Sequence, residues 1–341
     1  MSERRFRAVR TPEGLFLHER NTGICIFDPT QKSERWLKPL YAQVAVTQRC
    51  NMDCWWCYAS SSPRGGAEWS TGELKKLAKA LDAWGILGVA YGGGEPFVHP
   101  GIIEVIKFTR ENTGLDVSVT TNGYAPTEEQ LLGIEGYASE VRVSIRRRED
   151  CVTLRKFIGK GFECGVNLLL MKGNAERIDE LMSRCIDLGI NDILINSFVA
   201  AGKGAPHRLL EPTEKDVAAL CEAIDRHDAA TIKVSGRLAT LMKKNGHEYR
   251  FVPFPATDEG EETGAEVTGR GRIVAITTDK KVKPSSLSEE AYSFGMLEEL
   301  PKAYARMMCT CMPAPAAAGA DAETVGCARI GRALKAFEPR R

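Results

Sequence analysis

Cys50, Cys54 and Cys57 stand in the stretch RCNMDCWWCYAS, residues 49–60, at a C-x3-C-x2-C spacing. Three thiols so close in sequence can wrap one face of a metal centre. A structural zinc site takes four ligands, and no fourth cysteine or histidine lies nearby. A cubane iron–sulfur cluster normally takes four thiolates, one per iron. Three thiolates leave one iron without a protein ligand, and an open iron can bind a substrate. The spacing taken alone also admits a structural zinc fragment. Trp55, Trp56 and Tyr58 crowd the thiols and would shield a cluster from water and oxygen, or simply pack in the core. The thiols must ionise to ligate, so a positive field should lower their pKa. Arg49 is the neighbouring cation for that role, and reads equally as a solvated surface residue.

The rest of the composition bounds the chemistry. Eleven cysteines is a high count, and an odd one, for a chain expected in the cytoplasm, where disulfides are rare and metal or redox use is the better default. A formal net charge of +1 supplies no attraction to nucleic acid or a membrane surface. No apolar run approaches the roughly 20 residues that span a bilayer, and the N-terminal MSERRFRAVRTPEG has no apolar signal core. The expectation is a cytoplasmic protein with no nucleic-acid or membrane partner. With 43% hydrophobic residues over 341 positions, a barrel-sized domain and a smaller appendage can both be packed.

Something must hold the cysteine loop in place, and the alternation of apolar runs names it. Residues 5–28 read as a β-hairpin, FRAV and LFLHE around the turn TPEG, with a second turn at RNTG before ICIF. Short apolar strands then follow: YAQVAVT, GVAYGG, DVSVTTN, VRVSI, CGVNLLLM and DILINSF. Amphipathic helices separate them. In STGELKKLAKALDAWG, Leu74, Leu77, Ala78, Leu81 and Trp84 share one face, and Ser70 with Glu73 has capping-box spacing. Thr127 with Gln130 repeats that signal, and Thr213 reads as an N-cap. Six strand–helix units with right-handed crossovers predict an α/β fold, a partial (β/α)6 TIM-like barrel, covering about three-quarters of an eight-fold barrel. The chemistry then belongs on the loops at the C-terminal ends of the strands. The expected divisions are residues 1–40, an N-terminal β-hairpin extension; 41–235, the barrel; and 236–341, a small C-terminal domain.

The cysteine spacing, with an aromatic at Trp56, resembles the signature of the radical S-adenosylmethionine (SAM) enzymes. Gly92-Gly93-Gly94-Glu95-Pro96, closing the second barrel strand, is similar to that family's GGEP motif, which holds the amino group of SAM. SVTTNG, ending at Asn122 and Gly123, is a third match, and the resemblance covers roughly residues 41–210. It implies a [4Fe–4S] cluster on Cys50, Cys54 and Cys57, with S-adenosyl-L-methionine bound at its open iron through Gly93, Gly94 and Glu95. It also implies a flavodoxin- or ferredoxin-type electron donor. Ser144, in VRVSI, matches the place of a polar SAM contact on the fourth strand. The Asp-Gly that usually follows that strand is absent, and the sequence reads RRRED. Arg146, Arg147 and Arg148 read equally as a site for an acidic substrate group and as a solvated charge run. Asn167 and Asn196 are expected to be structural, and His99 to cap or pack. Cys25, Cys164, Cys185 and Cys221 read as ordinary apolar positions, whereas Cys151, after the fourth strand, is kept as a candidate hydrogen donor.

The C-terminal region carries a second cysteine set, Cys309, Cys311 and Cys327. With the hairpin RIVAITTDKKVKP it resembles a degenerate form of the SPASM or twitch domains that hold auxiliary clusters in this family. Ser285 stands where those domains often have a cysteine. Three soft ligands suit an auxiliary iron–sulfur cluster, a zinc ion or no metal at all. The acidic PFPATDEGEETGAE reads as an exposed loop. SPASM-type relatives often modify ribosomally made peptides, so a peptide is the first expected substrate. The short N-terminal hairpin, unlike a winged-helix leader-binding domain, counts against it. A small molecule such as a sugar, amino acid or cofactor precursor, or a non-catalytic metal scaffold, are the alternatives.

Overall fold

The computed structural model describes residues 6–10, 15–28, 30–31, 39–227, 230–246, 273–288 and 290–311. Three antiparallel strands, β1 (Phe6–Arg10), β2 (Leu15–Glu19) and β3 (Cys25–Asp28), form a small sheet of their own. The second sheet carries the expected barrel strands in chain order: β4 (Tyr41–Thr47), β5 (Gly88–Gly93), β6 (Asp116–Thr121), β7 (Glu140–Ser144), β8 (Glu163–Leu170) and β9 (Asp192–Ser197). All are parallel to their neighbours. A seventh strand, β10 (Thr231–Val234), extends this edge. Its four residues are too short an apolar run to stand out in the sequence. Among the described residues the sheet stays open, as in a partial barrel.

Helices α1 (Thr71–Trp84), α2 (Ile102–Asn112), α3 (Glu128–Ile134), α4 (Ala175–Asp187), α5 (Glu214–Asp225) and α6 (Gly236–Lys244) separate or follow the strands. The connection after β7 is instead a 3-10 segment, Arg148–Lys156. Capping explains where helices begin. Ser70 and Glu73 form the complete reciprocal box on α1, as do Thr127 with Gln130 on α3 and Thr213 with Asp216 on α5. On β4, Ala42, Val44 and Val46 are buried against the helices, as the period of two requires, while Tyr41, Gln43 and Ala45 face the barrel interior half-buried. Burying that apolar face, and its counterparts on the other strands, is the main stabilising contribution, at about 1.5–3 kcal/mol per large side chain.

The interior face is partly charged. Arg142 on β7 reaches Asp192 on β9 at 2.6 Å and Glu140 at 2.8 Å; Lys233 on β10 takes the other Asp192 oxygen at 2.6 Å. Arg142 also donates to Asn167 Oδ1 at 3.2 Å, so Asn167 is structural. The small sheet covers the same end of the barrel. His18 on β2 is buried, with Tyr41 Oη 3.0 Å from its Nδ1 and Asp116 3.5 Å from its Nε2. Tyr41 and Asp116 begin β4 and β6, so the extension closes the end opposite the cysteine loop.

At the other edge, β11 (Ile273–Ile276) pairs parallel with β4, followed by antiparallel β12 (Lys281–Lys283) and β13 (Tyr292–Ser293). The hairpin anticipated around TDKK is therefore continuous with the barrel sheet. Trp69 Nε1 donates to Thr277 O at 3.1 Å and Lys280 pairs with Glu73 at 3.0 Å, fixing it against α1. α7 (Leu300–Cys311) returns to stack Tyr304 edge-on against Trp84. The acidic loop and Cys327 lie outside the described residues, as do the side chains of Cys25, Cys309 and Cys311.

Candidate functional site

The loop after β4 is closed by its own backbone. Cys50 N donates to Ser62 O at 3.0 Å, Gln48 N to Ala67 O at 2.8 Å and Cys57 N to Cys54 O at 3.2 Å. This folds residues 50–62 back on themselves and leaves Cys50, Cys54 and Cys57 half-buried and unbonded to one another. The end of β5 props the loop. Gly94 N donates to Thr47 O at 2.7 Å and Glu95 N to Arg49 O at 2.9 Å. A Cβ on Gly94 would sit 2.1 Å from Arg49 O, so only glycine allows this approach. Gly93, at φ +114°, is in a region that L side chains rarely adopt. Gly92 differs, because a Cβ there would meet nothing within 4 Å. The GGGEP turn thus carries two glycines that close on the cysteine loop and one that opens on free space.

Glu95 is buried, and its carboxylate is spoken for. Oε1 accepts from Thr121 Oγ1 at 2.8 Å and from Phe97 N at 3.2 Å, and Oε2 accepts from Asn122 N at 2.7 Å. Burial drives its pKa up to about 7 against the pull of those donors and of Arg146. Asn122, quoted in the TTNG motif but given no role there, carries the link onward. Its Nδ2 donates to Asn51 Oδ1 at 2.7 Å and approaches Cys50 Sγ at 3.8 Å. Ser144 ends β7 on the interior face, opposite Asn167 in register.

The positive field comes from a different arginine than the sequence indicates. Arg49 is engaged by Glu68 at 2.8 Å. Arg146, read above as a substrate contact or a solvated charge, is instead mostly buried. Its Nη1 lies 3.7 Å from Cys54 Sγ and 3.1 Å from Met52 Sδ. Arg147 and Arg148 are exposed and do fit a solvated run. In the chain alone, burial first and then the Glu95 and Cys54 charges push the Cys50 thiol up, so a bound metal would have to supply the positive charge that ionises it. A second contact was invisible in the sequence. Lys203, after β9, donates its backbone N–H to Cys57 O at 3.0 Å and its Nζ to Ser61 O at 2.7 Å, with Asp53 as counter-ion. His207 from the same segment stacks edge-on with Trp55 at 4.6 Å.

Other candidates fall away from the site. His99 Nδ1 accepts from Gly101 N and its Nε2 meets Trp69 O at 2.7 Å, so it packs the α1–α2 junction. Cys151, kept as a hydrogen donor, lies in the helix–sheet core against Cys185 of α4, turned away from the cysteine loop. A cleft of about 370 Å³ lined by Phe157, Cys164, Asp192 and Thr231 opens at the N-terminal ends of β8–β10, the wrong end for this chemistry.

Three half-buried thiols, with Arg146 Nη1 3.7 Å from Cys54 Sγ, are soft donors compatible with an anionic iron–sulfur cluster. A tetrahedral metal with 2.3 Å bonds draws its thiolates to within about 4 Å of each other. Among the described residues, no three His, Cys, Asp or Glu side chains converge closely enough to hold a metal ion.

Residues 44–205 match the Radical SAM superfamily. The subtilosin bacteriocin biosynthesis protein AlbA of Bacillus subtilis is 28% identical over 203 residues, 54% of this chain and 45% of AlbA. The GTP 3′,8-cyclase of Chlorobaculum tepidum is 28% identical over 165 residues, 47% of this chain and 48% of the cyclase. The chain thus spans about half the length of the curated relatives it matches. In three dimensions it is similar to Streptococcus suis SuiB bound to S-adenosylmethionine, at a TM-score of 0.66 over 89% of both chains with 12% identity. SuiB bound to its precursor peptide SuiA superposes at 0.64, with 14% identity over 88% of this chain and 87% of SuiB. At such identities the likeness is one of fold.

Proposed function

Since residues 44–205 belong to the radical SAM superfamily, we propose that this chain reductively cleaves S-adenosylmethionine to functionalise a C–H bond of a substrate, in the first instance a peptide. The observation that carries it is the junction of the cysteine loop with the Gly-rich turn, Gly94 N to Thr47 O at 2.7 Å, beside three half-buried thiols. Cys50, Cys54 and Cys57 hold a [4Fe–4S] cluster. A cluster bound there would supply the single electron that reductive cleavage of SAM requires, and the cleavage would supply the means of removing a hydrogen atom from the substrate.

The protein's part is positional. Glu95 and Asn122 lock the Gly-rich turn and the β6 loop to Cys50. Gly92 leaves room over β5, and Gly93, Gly94 and Ser144 offer backbone and hydroxyl contacts to the methionyl end of SAM. Trp55 and Trp56 stand edge-on at 5.1 Å beside the cysteines, but Trp55 and Tyr58 are exposed rather than packed in the core, so the aromatic screen expected there is incomplete in the chain alone. A flavodoxin- or ferredoxin-type protein supplies the electron. Cys309, Cys311 and Cys327 hold a second metal, iron–sulfur or zinc.

AlbA and SuiB support the peptide, through a bacteriocin and a precursor peptide in their names. The GTP cyclases favour a small molecule. The test is anaerobic incubation with dithionite, SAM and candidate peptides, assayed for 5′-deoxyadenosine and for a peptide mass change. Deoxyadenosine with modified peptide upholds the proposal. Deoxyadenosine stimulated only by nucleotides refutes the peptide, and none at all refutes the enzyme.

A further inference from the structure

We infer that Arg146 sets the reduction potential of the cluster, as a positioning residue at its Cys54 corner. This rests on the assignment of Cys50, Cys54 and Cys57 as ligands and adds a residue to it. Arg146 occupies the place after the fourth barrel strand where the resemblance leads one to expect an acid, so the sign of the charge there is reversed. The Arg146 side chain is only 14% exposed. Nη2 donates to Asn122 O at 3.2 Å and Ser144 O at 3.3 Å, which aims Nη1 between Met52 Sδ, at 3.1 Å, and Cys54 Sγ, at 3.7 Å.

Buried Asp150 fixes the arginine from behind. Its Oδ2 accepts the Arg146 backbone N–H at 2.8 Å and lies 3.4 Å from Nε. Asp150 is shared, however: Arg147 Nε lies 3.4 Å from its other oxygen, which also accepts from Tyr124 Oη at 2.7 Å. Shared between two guanidiniums, this carboxylate offsets the Arg146 charge beside the thiol only in part. Lys203, on the other flank of the loop, is neutralised by Asp53.

Reducing the cluster by one electron adds one negative charge to it. A partly desolvated cation, and an N–H donated to a ligand sulfur, stabilise the reduced form more than the oxidised form. No bond forms or breaks at Arg146. It therefore makes the first electron easier to accept, and it holds the β7 and β6 loops against the cysteine loop.

The experiment is an EPR-monitored redox titration of anaerobically reconstituted full-length protein, with iron and sulfide counted in each sample. Arg146→Gln should move the midpoint to a more negative value at unchanged iron content, and Arg146→Lys should recover part of the shift. Asp150→Asn, which removes the counter-charge, should move it the opposite way. A purely structural role would not give shifts of opposite sign. An unmoved midpoint in Arg146→Gln with four irons bound overturns the inference. If Arg146→Gln binds fewer irons, Asp150→Asn decides: a positive shift upholds the inference and no shift overturns it. Absence of a cluster from the wild type would instead sink the cysteine assignment beneath it.

Discussion

Glu95 accepts the Asn122 amide N–H at 2.7 Å, and through this bond the Gly-rich turn after β5 and the TTNG turn after β6 become one support for Cys50. Glu95 would be expected to reach outward to a ligand, but both of its oxygens are occupied within the protein. Three donors leave one of the roughly four acceptor positions of a carboxylate, so we propose that Glu95 serves SAM binding both by bracing the turn and by direct contact. Glu95→Ala should weaken SAM affinity and also lower iron retention, because Asn122 loses its anchor. A variant that keeps four irons and loses only SAM would leave direct contact with the ligand as the carboxylate's one role.

Burial places the Glu95 pKa near 7, from an unfolded value near 4.5. The folded chain keeps this proton while the unfolded chain releases it. Its stabilising contribution is therefore fully present below about pH 4.5 and lost as pH rises through about 7, on the order of 3 kcal/mol in all. Metal-free wild type should lose stability relative to Glu95→Gln between pH 5 and pH 8, read by urea denaturation. A difference that is the same at both pH values would show that the carboxyl titrates normally.

The three glycines of GGGEP should part company on substitution. Gly94→Ala drives a methyl into the Arg49 carbonyl and breaks the strand-to-loop bonds, costing about 1–3 kcal/mol by overpacking and lowering the melting temperature. Gly92→Ala meets open space and should melt like the wild type, while weakening SAM binding by filling the room over β5. Thermal melts and SAM titrations on the two variants check this. Equal melting temperatures would undo the geometric distinction.

Triple replacement of Cys50, Cys54 and Cys57 by alanine should abolish iron binding at this loop and 5′-deoxyadenosine formation, while far-ultraviolet circular dichroism stays that of the wild type. The loop is held by backbone bonds such as Cys50 N to Ser62 O, not by the thiols. A SAM-perturbed EPR signal surviving in the triple variant would move the site elsewhere, with the C-terminal cysteines the first place to look.

The interior charge layer should be costly to unbalance. Asp192→Asn leaves Lys233 without its partner and Arg142 with Glu140 alone. A loss of about 2 kcal/mol is expected in denaturant, below the 3–5 kcal/mol of a fully buried pair because Asp192 is one-third exposed. An unchanged denaturation midpoint would mean that water already carries this pair.

Local chemistry was legible in the sequence. The period-two strands, the helix start at Ser70 with Glu73 and the spacing of Cys50, Cys54 and Cys57 concern residues a few positions apart, where backbone geometry leaves little freedom. Wherever a role depended on residues far apart in the chain, the tertiary structure decided it. Arg49 is adjacent to Cys50 in sequence yet turns to Glu68, whereas Arg146, ninety-two positions from Cys54, points at its sulfur. Lys203 reaches the loop from the end of β9, because parallel strands bring all their C-terminal ends to one rim. Cys151, from that same rim, turns instead into the helix–sheet core. A sequence states which charges and thiols are present. Which of them face one another follows from the register of β4 to β10, fixed by burial of apolar faces that have no part in the chemistry.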